Sequence, residues 1–127
     1  MNGSIKGLQE AQAAANQAAA ALRPRGALGR AVQHVTAHVH RYATTINPVD
    51  TGSWRASQRQ QLSNDGLSGR VFLQPGATNS RSGGPVDRYA GMYERAGGRY
   101  AVYKRTFEED GQKALDEGGE IVRRALP

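Results

Sequence analysis

His34 and His38 stand four residues apart in a helical pattern. That spacing lays two imidazoles on one helix face, where both could meet a divalent metal. The segment reads His-Val-Thr-Ala-His, without the glutamate that a zincin helix carries. No acid lies within the same helix to supply a third ligand. The pair, with His40 close by, therefore reads as surface or subunit-contact histidines, able at most to give a contact a mild pH response. Asp50, Asp87 and Glu94 could in principle gather into an acidic metal cluster; the plainer reading makes Asp50 a turn acid and Glu94 a structural or interface acid. The chain has no cysteine, which excludes disulfides, thiolate metal sites and cysteine catalysis. No G-x-S-x-G nucleophile elbow occurs. Gly83-Gly84-Pro85 and Gly97-Gly98-Arg99 are glycine-rich, but neither opens a helix with phosphate-loop spacing. The expectation is a protein that is not an enzyme, with no catalytic residue, cofactor or metal assigned.

Charge is the next source of function. The net charge is +6 over 127 residues, unevenly spread. Residues 23–46 carry Arg23, Arg25, Arg30 and Arg41 and no acid, whereas residues 106–127 carry six acids against Lys113, Arg123 and Arg124. A basic front and an acidic tail suit nucleic acid or head-to-tail subunit contacts. Arg55, Arg59, Arg70, Arg81, Arg88, Arg95, Arg99, Lys104 and Arg105 populate the middle of the chain, with Tyr89, Tyr93, Tyr100 and Tyr103 among them. Cations interleaved with aromatic rings can bind single strands, but no RRM or zinc-finger signature accompanies them. Core and subunit contacts account for the tyrosines equally well. A small basic nucleic-acid-binding module is kept as the alternative function. No run of about 18 apolar residues is present to span a membrane, and the basic-then-apolar layout of a secretory signal is lacking. Use inside a cell, or in a particle assembled there, is expected.

The elements that position these groups follow from periodicity. Leu8, Ala11, Ala15, Ala18 and Leu22 place a first, alanine-rich helix at 4–22, broken by Arg23-Pro24-Arg25-Gly26. Leu28, Val32, Val35, Val39, Tyr42 and Ile46 give a second helix at 27–46, read as the one that packs on the core. Pro48 ends it, since its ring lacks an N–H and pushes Asn47 out of the α region. Asp50 and Thr51 can turn their side chains back onto nearby amides, Gly52 supplies a positive φ, and a strand is expected from Ser53. Its alternation runs to Leu62. Asn64-Asp65-Gly66 turns the chain into a second strand at Gly69–Leu73, making a hairpin. Residues 74–86 have loop composition; so long a loop in a small domain marks function or disorder. Tyr89–Glu94 reads as a short strand or helical turn, and Arg99–Lys104 as a strand. Thr106-Phe107-Glu108-Glu109 has capping-box spacing, so Thr106 is expected to cap a last helix with Phe107, Ala114, Leu115, Gly118, Ile121, Val122 and Ala125 on its apolar side. The fold class expected is α+β: a small antiparallel sheet packed by an N-terminal helical region and a C-terminal helix. Residues 1–26 form the helical segment and 27–127 a single domain.

These residues, in this order, resemble a family. Pro48-Val49-Asp50-Thr51-Gly52, then Arg55 and Ser57, then Tyr89-Ala90 with Glu94, then Phe107 before a last helix, look like the tail-completion or head–tail joining proteins of long-tailed bacteriophages and prophages. The likeness covers residues 28–125. Trp54 stands at the usual leucine, Tyr93 replaces the common aliphatic before Glu94, Arg95-Ala96-Gly97 replaces x-Gly-Thr, and no proline precedes Phe107. The resemblance implies a structural virion protein of the tail-terminator kind. It would form a homo-oligomeric, hexameric ring between a tail tube protein and the head connector or stopper, with genomic DNA passing through the lumen. Its place would be the neck of the virion, reached from the host cytoplasm during assembly. Pro48, Val49, Asp50, Thr51, Gly52, Arg55 and Ser57 then form a structural turn motif. Arg81, Arg88, Tyr89, Tyr93, Glu94 and Arg99 are the candidate subunit or tail-tube interface.

Overall fold

The computed structural model describes residues 2–23 and 25–127. The architecture is α+β, with six α-helices and one two-stranded antiparallel sheet among the described residues. Helix α1 (Asn2–Ala21) has little apolar area to bury and lies largely exposed, resting on the far end of the chain. The Gln17 side-chain amide donates there to the Ala125 carbonyl at 3.0 Å. Helix α2 (Ala27–Ile46) has the bounds its periodicity gives. Its most buried side chains, however, are small: Ala27, Ala31, Thr36 and Ala43. The stripe of Leu28, Val32, Val35 and Val39 is only half-buried and borders open apolar grooves. Asn47 leaves the helix at φ −62°, ψ 126°, the extended geometry that the following proline demands.

The strand expected from Ser53 begins later. Ser53–Ala56 is a single helical turn, α3, and β1 runs Gln58–Leu62. Gly52 decides this: at φ 84° it enters the left-handed region and starts a turn instead of an extended segment. Trp54 is thereby buried. Strand β2 (Gly69–Leu73) pairs antiparallel with β1, Gln58 opposite Leu73 and Leu62 opposite Gly69. In the connecting turn, Asp65 Oδ1 accepts from the Ser63 hydroxyl at 2.6 Å and the Leu67 amide at 3.0 Å. Those bonds hold its carboxyl below the usual carboxylate range.

Tyr89–Glu94 lies inside an 11-residue helix, α4 (Val86–Ala96), which Gly97 ends. The strand expected at Arg99–Lys104 is replaced by a tight turn at Gly98–Tyr100 and helix α5 (Val102–Thr106). Glu94 explains the replacement. Its two carboxylate oxygens accept from the amides of Tyr103 at 2.9 Å and Lys104 at 3.0 Å, satisfying the first free N–H groups of α5. Thr106 is accordingly not a cap. It sits in helical geometry, and its hydroxyl donates back to the Val102 carbonyl at 2.7 Å. From there the chain continues through a π-helical turn, Phe107–Gly111, into α6 (Gln112–Ala125).

The core gathers Ala43, Trp54, Val86, Ala90 and Val102, with Ile46, Leu73, Tyr89, Tyr100 and Tyr103 packed against it. Helices α2 and α6 approach closely at Gly118, where a Cβ would fall 2.6 Å from Val35 Cγ2. A polar chain threads the same region. The buried Gln58 side chain donates to Asn47 Oδ1 at 2.8 Å and accepts from the Tyr103 hydroxyl at 2.7 Å. Burial pushes the Tyr103 phenol up to about 12.

Candidate functional site

The turn after α2, the loop before α4 and the aromatic face of α4 converge on one cleft of about 370 Å³. Pro48, Asp50, Thr51, Asn79, Tyr89 and Tyr93 are among its lining residues. Backbone geometry sets its floor. With Gly52 left-handed, the Thr51 hydroxyl oxygen accepts from the Ser53 amide at 3.2 Å, the side-chain turn expected of this residue. Asp50 does not turn back onto an amide. It reaches across the cleft mouth to Arg81, whose Nη1 lies 3.1 Å from both carboxylate oxygens. Both partners of that pair are exposed, so its contribution to stability is small.

The loop is not a loose strap. Asn79 organises it: its Oδ1 accepts from the amides of Arg81 at 2.9 Å and Ser82 at 3.0 Å, and its Nδ2 donates to Thr51 Oγ1 at 3.2 Å. The Ser80 amide donates to Ser53 Oγ at 2.9 Å. Thr78 bridges to Pro85, and the Val86 amide donates to the Ala77 carbonyl at 2.9 Å, closing the loop onto α4. Asn79 and Ser53 went unassigned in the sequence. Their signal is an Asx and a Ser in turn-rich composition, which shows the habit of folding back but not the partner.

Aromatic rings form the wall. Trp54 meets Tyr89 edge-on at 5.8 Å and stacks on Tyr93 at 5.7 Å with planes 11° apart. Tyr93 touches Tyr100 at 5.1 Å, and the Arg99 guanidinium lies 5.0 Å from the Tyr100 ring centre. Tyr93 is nonetheless 42 % exposed. A partly exposed aromatic ring beside the Thr51, Asn79 and Ser82 rim suits a peptide segment or a planar group.

The remaining predicted residues go elsewhere. Arg55 turns away from the cleft and donates to the Thr45 and Asn47 carbonyls, both at 3.2 Å, closing the C-terminal end of α2. The Ser57 hydroxyl donates to the Trp54 carbonyl at 2.7 Å. Arg88 is an exposed residue of α4. Glu94, expected at an interface, spends its carboxylate on α5 within the chain. Asp50, Asp87 and Glu94 do not form a metal-ligating group among the described residues.

The histidines meet acids that their own helix does not carry. The third ligand missing from α2 is supplied by α6: Glu117 Oε2 lies 3.0 Å from His38 Nδ1 and 3.5 Å from His34 Nε2. Asp110, from the π-turn, places Oδ2 at 2.5 Å from His38 Nε2. Sequence spacing within one helix cannot reveal ligands that arrive from another. No family model, curated protein or solved structure matches the chain.

Proposed function

We propose that the chain is a structural virion protein of a tailed bacteriophage, a ring-forming head–tail joiner of the tail-terminator kind. In this role it caps the tail tube and docks it to the neck, with DNA passing through the lumen. The observation that carries the proposal is apolar surface left uncovered on a chain with a small core. Phe107 is 67 % exposed and Leu115 61 %. Beside them α2, β2 and α6 leave a groove of about 540 Å³, lined by Leu28, Val32, Val35, Leu67 and Val122. Contiguous apolar surface of this kind marks protein contact, and opposite charge at the two ends of the sequence suits a heterologous contact that closes by rotation. The order of Pro48–Gly52, Tyr89–Glu94 and Phe107 supports the same reading. The hydrogen bonds from the loop to the turn motif hold Arg81, and the stack on Trp54 holds Tyr93, at the surface as a preformed patch for a neighbour or the tail tube.

Light scattering and negative-stain microscopy of the purified protein, alone and mixed with tail tubes, test the proposal. Rings, or decoration of tube ends, are the expected result. Persistent monomers that never decorate a tube would sink it. Salt-dependent binding of those monomers to DNA would favour the nucleic-acid-binding alternative.

A further inference from the structure

We propose that His34, His38 and Glu117 form a binding site for a divalent transition metal of the Zn²⁺ class, with Asp110 as a positioning residue behind His38. Three atoms here pose a problem that the protein alone does not solve. His34 Nε2, Asp110 Oδ2 and Glu117 Oε2 are each buried from solvent and make close contacts within the cluster, to a histidine ring or a carboxylate, but no well-formed hydrogen bond. Buried polar atoms are nearly always paired, and an orphan group points to an ion or a water. Two of the three belong to carboxylates, whose buried oxygens are costly to leave without a full set of partners. The salt bridges among the described residues bring neither carboxylate an Arg or Lys; the partners they do bring are the two imidazole rings.

The donor set fits a metal. One ligand atom each from His34, His38 and Glu117 lies within 4.8 Å of the others. Ligand atoms bound at about 2.1 Å in a tetrahedron sit ~3.4 Å apart. The distances from Glu117 Oε2, 3.0 Å to His38 Nδ1 and 3.5 Å to His34 Nε2, already bracket that value. Two imidazoles and one carboxylate are a zinc-type set with a fourth position open. The His34 and Glu117 side chains are 41 % and 40 % exposed, which leaves that position to water. With His38 Nδ1 on the metal, its Nε2 carries the proton, and Asp110 Oδ2 stands beside it to accept. This is the carboxylate–histidine–metal relay that fixes tautomer and ring orientation.

The fold is built to bring the parts together. His34 and His38 share a face of α2 by their spacing. Gly118, next to Glu117, lets α6 come close enough for the carboxylate to reach both rings. The π-turn, a feature that recurs at functional sites, turns Asp110 inward, where it is 7 % exposed. A bound ion would therefore clamp α2, the π-turn and α6.

The test is calorimetric titration of tag-free, chelator-treated protein with ZnCl₂, with the visible spectrum of the protein titrated with CoCl₂ alongside. One Zn²⁺ per chain, a higher melting temperature in Zn²⁺ and the intense absorption of four-coordinate Co²⁺ are expected. His34→Gln and Glu117→Gln should each weaken binding by about a hundredfold, Asp110→Asn by ~10-fold to 100-fold, and His40→Gln not at all. Absence of a stoichiometric Zn²⁺ isotherm for the wild-type chain would overturn the proposal. So would wild-type affinity in Glu117→Gln, or a Co²⁺ spectrum no different from the ion in buffer. The wild-type titrations decide the matter even if a variant fails to fold.

Discussion

Single side chains hold this fold at its junctions, and their effects can be measured one at a time. Glu94 is the clearest. It gathers two amides at the start of α5, so Glu94→Ala leaves those donors without their acceptor and removes a negative charge from a helix N-terminus. A loss of about 1–2 kcal/mol is expected in urea unfolding, with Glu94→Gln recovering part of it. Tyr103 gives a pH signature. Its phenol is pushed up to about 12 by burial, against about 10 in an unfolded chain. Between those values the unfolded state releases the proton and the folded state keeps it. Stability from this group is therefore full below about pH 10 and declines as pH rises toward 12. Tyr103→Phe should flatten that part of the stability–pH curve, and ultraviolet titration of phenolate formation should lose its latest-titrating tyrosine.

Among the elements, close approach and turn geometry decide what can be changed. Gly118→Val forces its side chain against Val35, whose Cγ2 stands 2.6 Å from the position of a Cβ. It should cost about 1–3 kcal/mol by overpacking, seen as a lower melting temperature. Gly52→Ala places a Cβ at φ 84° and should cost about 1–2 kcal/mol, even though open space surrounds it. The same elements explain what the sequence could and could not convey. Helix α2 and the hairpin are written in local periodicity and turn residues, so both are legible. Helix α5 is not, because its amides are capped by an acid from another helix, and the alternating Tyr100–Tyr103 segment mimics a strand once that partner is unknown. The cleft was half legible. Pro48–Gly52 and Tyr93 stand out by type, but Asn79 joins the cleft by meeting Thr51 across 28 positions of sequence. The histidine cluster was hidden for the same reason, since Asp110 and Glu117 belong to a different helix from His34 and His38.

For the molecule as a whole, the question is which surfaces remain for partners. Phe107→Glu with Leu115→Glu replaces two exposed apolar side chains by charges. If the chain assembles through this face, the double variant should remain folded by circular dichroism and sediment as a protomer. The reason Phe107 faces outward lies in the turn that contains it. Val102, Thr106, Asp110, Ala114 and Gly118 are all buried, at a strict spacing of four. On an unbroken α-helix that stripe would wander about 40° with every step and wrap to the opposite side. The wider π-turn absorbs the drift, like a screw with one slipped thread, and swings Phe107 off the apolar row it would otherwise share with Ala114 and Ile121. The outward face is thus set by the length of the chain through residues 107–111 as much as by its side chains. Deleting one residue there would rephase everything downstream by roughly 100°. A change in length alone could then exchange a contact face for a solvent face and part Glu117 from its histidines, with every other residue kept.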